Sequence, residues 1–152
     1  MRGDSRTRYR PGALMRGTRR TYARSRAATL VGRSLRVNLT ALDLNTTAPR
    51  SGRDMLGRYA WLARLADKAR AAQAGTEGEY VAYCPLSTGF LDRAGVSVDD
   101  FDRLVADGAS DDDLVRYFDE HVSDAQREAA NRFVLDDMGS HLDEQDAEEG
   151  RA

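Results

Sequence analysis

SVDDFDRLVADGASDDDLVRYFDEHVSDAQ, residues 97–126, decides the fold. Ser97, Ser110 and Ser123 each stand three residues before Asp100, Asp113 and Gln126, the spacing of a capping box. In a capping box the serine hydroxyl and the later side chain each satisfy a backbone N–H that a helix start leaves without a partner. Apolar residues follow at helical spacing: Phe101, Leu104 and Val105, then Leu114, Val115, Phe118 and Val122. A third stripe, Phe133, Val134, Met138 and Leu142, runs beside Ala129 and Ala130. Asp99, Asp100, Asp111, Asp112 and Asp113 put negative charge in first turns, where the helix dipole favours it. Gly108 marks a stop. Helices are predicted near 98–107, 111–122 and 124–144.

Working outward, Ser51-Gly52-Arg53-Asp54 repeats the start signal and Gly75 the stop, which predicts a helix over 52–74. Pro85 suits a first helical position, so a short helix to about Ala94 is expected. Glu79–Tyr83 (EYVAY) and Val37–Leu44 are β-prone and are candidates to pair. The fold class is mainly α: a small bundle of four to five helices, with a minor β element of 37–44 and 79–83 as an optional addition. Residues 37–144 form the single domain, and 145–152 are an acidic tail expected to fray.

Charge divides the chain. Residues 1–36 hold eleven arginines against one acid, Asp4, a balance of +10, whereas residues 37–152 carry −12. The arm has neither helical nor alternating periodicity and reads as disordered. Its arginines suit phosphate binding, so nucleic acid is a partner only if residues 1–36 are expressed. The Arg/Ser/Thr-rich composition also fits a transit peptide in a eukaryote. Arg19-Arg20 is no export signal, because no apolar stretch follows. A mis-assigned start, with Met15 or Val37 as the true one, is the competing expectation. No apolar run approaches the ~20 residues of a membrane span, and one cysteine makes no internal disulfide, so a cytoplasmic location is expected. No Gly-rich phosphate loop and no local ligand pairs are present, so no cofactor or metal is expected.

The candidate site lies in RLADKARAAQAGTEGEYVAYCPL, residues 64–86, which holds the chain's single cysteine and single lysine. On a helix over 52–74, Met55, Tyr59, Leu62, Ala66 and Ala69 centre an apolar arc, with Arg64, Asp67 and Lys68 opposite. That trio reads first as a solvated, salt-bridged face. The sharper alternative is an anion site, in which Asp67 orients Arg64 and Lys68 toward a phosphate or carboxylate. Arg58 and Arg70 break the apolar arc, and Glu79 is the expected partner of Arg70, as a structural ion pair or as part of a site. Cys84 is expected at the N-cap of the Pro85 helix, where a thiol gains thiolate character, with Lys68 or Arg70 near it. Cys84 and Glu79 are therefore the candidate catalytic groups; the alternative is an ordinary core cysteine. His121 and His141 are not placed by sequence to serve as its base.

Asp43-Leu44, Pro49-Arg50-Ser51, Leu56-Gly57, Tyr59, Leu62, Arg64-Leu65 and Asp67-Lys68-Ala69-Arg70-Ala71 form a pattern with Gly75, Gly78-Glu79-Tyr80, Cys84-Pro85-Leu86 and Phe90-Leu91. This pattern resembles a bacterial family known as a domain of unknown function, DUF5069. Ser87 and Gly89 depart from it, standing where the family tends to have an acid and an arginine. The resemblance implies no activity, substrate or cofactor, and implies a start near Val37. The leading functional expectation is a non-catalytic interaction or small-ligand-binding domain, whose partner is a small anionic ligand or a protein. The alternatives are an enzyme acting on an anionic substrate held by Arg64, Lys68 and Arg70, with chemistry at Cys84 or Glu79, and nucleic-acid binding through the arm.

Overall fold

The computed structural model describes residues 41–151, and the expectations placed on 1–36 and on 37–40 lie outside them. Among the described residues there are six α-helices, one π-helical turn and no strand. The helices are α1 (Leu62–Ala74), α2 (Pro85–Ala94), α3 (Val98–Ala106), α4 (Asp111–His121), α5 (Asp124–Arg132) and α6 (Gly139–Glu148). The π-turn, Phe133–Asp137, lies between α5 and α6.

The serine punctuation works as the spacing predicts. Ser97 Oγ accepts from Asp100 N, and the Ser110–Asp113 and Ser123–Gln126 boxes have both arms in place. Gly75 and Gly95 close α1 and α2 in the left-handed conformation, with φ of 79° and 78°. Their N–H groups and those of Thr76 and Val96 satisfy the last carbonyls of each helix.

Three expectations are corrected. The first helix begins at Leu62, ten residues later than predicted. Asp54 does accept from Ser51 N, but Ser51 Oγ bonds the Asp146 carboxylate, and the segment turns at Gly57, where φ is 61°. Asn131 of α5 then clamps that loop, accepting from Ala60 N and donating to Arg58 O. The local capping bonds form, Arg53 N donating to Ser51 Oγ, but no helix follows them, because the chain turns at Gly57 and is held there by partners distant in sequence. Glu79–Tyr83 is not a strand: the segment is made of turns, the first closed by Tyr80 N on Glu77 O, and Tyr83 Oη reaches Asp102 on α3. The predicted helix over 124–144 is two helices, separated at the π-turn and restarting at Gly139-Ser140, both weak helix formers.

The core surrounds Phe118 of α4. Its ring meets Tyr59 at 5.3 Å, Phe90 at 6.1 Å and Phe101 at 6.2 Å, so α2, α3, α4 and the loop before α1 converge on one side chain. α1 is the central helix, and every residue from Leu62 to Ala71 is buried. That burial positions the candidate site. No described helix is long and apolar enough to cross a membrane.

Candidate functional site

α1 forms because LARLADKARAAQA is built almost wholly of strong helix formers. Its polar face is not the solvated surface that the sequence suggests. Arg64, Asp67, Lys68 and Arg70 are only 2–4% exposed. The cover comes from both ends of the domain. Residues 42–50 run back along α1, with Leu44 N bonded to Thr76 O at one end and Arg50 N to Asp67 Oδ2 at the other. The segment after α6 closes the rest through Glu149 and Arg151, whose guanidinium donates to Pro49 O and to Glu149.

Most of the buried charge is neutralised internally. Arg64 grips Glu149 with both terminal nitrogens, at 3.0 and 2.6 Å, and donates to Arg50 O. Asp67 accepts three hydrogen bonds from Arg50, through its backbone N, Nε and Nη2. Arg70 pairs with Asp111 at 3.0 Å and donates to Ala109 O, so the expected Arg70–Glu79 pair is not formed. Glu79 is exposed. Asp111 also accepts from Arg50, which links α1, the 42–50 segment and α4 in one network. Arg58 lies at the surface, 3.7 Å from Asp119.

Lys68 is the exception. Among the described residues its ammonium has one hydrogen-bonding partner, the Cys84 sulfur at 3.5 Å, and its Nζ lies 5.1 Å from the centre of the Trp61 ring. Cys84 is the N-cap of α2 with Pro85 in the first turn, as the sequence predicts. Ser87 Oγ is also 3.5 Å from the sulfur and accepts from Trp61 Nε1. Burial is the largest single influence and disfavours the Cys84 thiolate, but the Lys68 ammonium, the Ser87 hydroxyl and the N–H groups of Ser87 and Leu86 together outweigh it. The thiol pKa is therefore lowered. Burial also lowers the Lys68 pKa, against the attraction of the Cys84 sulfur and, more weakly, of Glu149. Both shifts run in one direction: the Cys84 thiol and the Lys68 ammonium each give up a proton more readily than an ordinary group of their kind.

Glu149 and Asp111 provide a second electrostatic signature. Burial works against their charged forms, yet Arg64 holds Glu149, and Arg50 with Arg70 holds Asp111, below the ordinary values of 4.5 and 3.8. A carboxyl whose folded-state pKa is depressed stabilises the fold above its unfolded-state value. That contribution is lost as pH falls through the folded-state value. Melting temperature is expected to hold between about pH 7 and 5 and to fall steeply below about pH 4. An acid titration by circular dichroism checks this, and a midpoint unchanged at about pH 3 would refute it.

Of the residues singled out in the sequence, Lys68 meets Cys84, whereas Arg64 goes to Glu149 and Arg70 to Asp111; the sequence pattern does not point to Arg50, Trp61, Tyr80, Ser87, Asp111 or Glu149 as their partners. Tyr80 Oη donates to Glu149 Oε2 at 3.1 Å, and the Arg64 guanidinium lies 5.7 Å from the centres of both the Trp61 and Tyr80 rings. Asp111 carried a signal only as a first-turn acid. Gly89, the other departure from the family pattern, faces Phe133, whose ring would stand 2.6 Å from any Cβ at that position. His121 stacks on Tyr117 and His141 faces Glu144 and Gln145, both at exposed positions. Among the described residues no group of three or more His, Cys, Asp or Glu side chains is placed to hold a metal ion.

No curated protein matches the chain. Residues 46–151 match the family model described as a domain of unknown function (DUF5069), and the chain therefore belongs to that family.

Proposed function

We propose that this chain is a cytoplasmic small-ligand-binding domain whose working group is the Cys84 thiolate, and whose ligand is a small electrophile or oxidant that the sulfur attacks. The observation that carries the reading is the 3.5 Å approach of Lys68 to Cys84 at the start of α2, with Lys68 only 3% exposed. A buried ammonium costs several kcal/mol unless an anion accompanies it, on the order of the penalties measured for buried charge. Here the nearest group able to be that anion is a thiolate. The alternative reading of a three-cation anion site has less support, since carboxylates already occupy Arg64 and Arg70. The cytoplasmic location follows from the same chemistry, because a free reactive thiol needs a reducing compartment to stay free.

The rate of iodoacetamide alkylation as a function of pH tests the proposal. Wild-type Cys84 is expected to titrate well below the ordinary thiol value of about 8.5, and Lys68→Met to move the midpoint up by one unit or more on the order of the effect of a lost neighbouring charge. A wild-type midpoint at the ordinary value would sink the reading.

A second reading, an enzyme with Cys84 as nucleophile and Lys68 as general base, is favoured by the lowered pKa of Lys68. It shares the first test and differs in turnover: an enzyme releases its product and regains its thiol, whereas a binding domain keeps the adduct.

A further inference from the structure

We infer that Cys84 and Lys68 join in a reversible sulfur–nitrogen bond, a sulfenamide, when a hydroperoxide oxidises the thiol, so that the pair is a modification site and a redox switch. The inference rests on the reactive-thiol reading above and adds the identity of the group that captures the oxidised sulfur.

Two independent features meet at this point. Cys84 is half-buried at the mouth of α2, within reach of a molecule as small as a peroxide. Lys68 is almost wholly buried, and its amine has no hydrogen-bonding partner among the described residues except that sulfur. Ser87, the other polar group at the sulfur, already accepts the indole N–H of Trp61. A newly formed sulfenic acid therefore has the Lys68 amine as its immediate nucleophilic neighbour.

In the first step the Cys84 thiolate attacks the outer oxygen of the hydroperoxide. The O–O bond breaks, the sulfur is oxidised to a sulfenic acid, and the peroxide is reduced to an alkoxide or hydroxide. That base takes a proton from the Lys68 ammonium, which has just lost the anion that held its charge. In the second step the neutral amine attacks the sulfur. The N–S bond forms, the S–O bond breaks, and the hydroxide leaves with a proton from nitrogen as water. The sum is thiol, amine and hydroperoxide giving sulfenamide, alcohol and water; with hydrogen peroxide, the alcohol is a second water. The flexible four-carbon lysine stem closes the 3.5 Å gap. A dithiol reductant restores thiol and amine and ends as its own disulfide. The bond would tie the middle of α1 to the first turn of α2 and protect the sulfur from further oxidation.

The test is peptide mass mapping of the full chain after hydrogen peroxide treatment, with no thiol present until the excess is removed. The expected product links the peptides containing residues 68 and 84, is about 2 Da lighter than their sum, resists trypsin after Lys68 and reverts with dithiothreitol. A sulfinic acid at Cys84, about 32 Da heavier with Lys68 free, overturns the inference. So does a disulfide between two copies, or a link about 14 Da heavier that retains the oxygen. The alkylation profile measured alongside separates the two failures. An ordinary thiol removes the reactive-thiol reading itself, whereas a reactive thiol that ends as sulfinic acid removes only the bond to Lys68. The mapping needs no variant, so it stands even if Lys68→Met does not fold.

Discussion

Asp67→Ala is expected to destabilise the fold by about 2–3 kcal/mol, below the range for breaking a fully buried ion pair because Arg50 is about one-third exposed and keeps Asp111. Asp67 is 3% exposed in the middle of the central helix, where alanine is the better helix former, so local propensity predicts a gain. The tertiary contacts reverse that sign. The carboxylate accepts the Arg50 backbone N–H at 2.9 Å and the guanidinium at 3.0 and 2.9 Å. Without it, a half-buried backbone donor loses its partner and the Arg50 guanidinium keeps only Asp111 and the weak contact to Ala63 O. The 42–50 segment is then held to α1 at its near end only by the Arg64 bond to Arg50 O, and at its far end where residues 42–44 meet Thr76. Urea unfolding measures the loss, and a difference under about 1 kcal/mol would mean that water replaces the carboxylate freely. A cycle with Asp111→Ala separates the shared network from each pair, because both acids bind the same guanidinium and their losses should not add.

The contrast between α1 and α3–α5 shows what the sequence could and could not carry. Caps and stops are chemistry within four residues, so Ser110 with Asp113 and Ser123 with Gln126 were readable from spacing alone. The Cys84 N-cap was readable for the same reason, from the proline beside it. The cover over α1 is different, because its partners stand far away in the chain. Glu149 reaches Arg64 across 85 positions, and Asp111 reaches Arg70 across 41. A helical periodicity distinguishes polar from apolar faces; it does not distinguish a face turned to water from one turned to its own counter-ions. The tail expected to fray after residue 144 instead supplies one of those counter-ions, and α6 runs on to Glu148. Ser51 errs in the opposite direction, since its capping signature is real but its hydroxyl is taken by Asp146.

Trp61 is where fold and site depend on the same residue, and Trp61→Ala is expected to cost about 3–5 kcal/mol, as for other buried aromatic truncations. The side chain is fully buried, and its ring packs on Gly52, where a Cβ would stand 2.7 Å away. Its backbone is left-handed, with φ of 72°, a conformation that disfavours L-residues by roughly 1–2 kcal/mol. The strain is held by bonds on both sides of the peptide: Trp61 N donates to Gly52 O, and Trp61 O accepts from Leu65 N as the first bond of α1. Two consequences separate this account from simple loss of bulk. Trp61→Gly should be less destabilising than Trp61→Ala by roughly 1 kcal/mol, since glycine adopts this φ without penalty, reversing the usual order in a folded core. Trp61→Phe should retain most of the stability yet alter Cys84, because Ser87 loses the indole N–H and Lys68 loses the larger ring face. Urea melts of the three variants measure the first effect, and alkylation of Cys84 against pH measures the second. If alanine and glycine prove equally costly, the left-handed backbone relaxes on truncation and the strain is not stored at this residue. If Trp61→Phe leaves the thiol titration unchanged, the indole is packing alone, and the reactivity of Cys84 depends on Lys68 and the helix start without it.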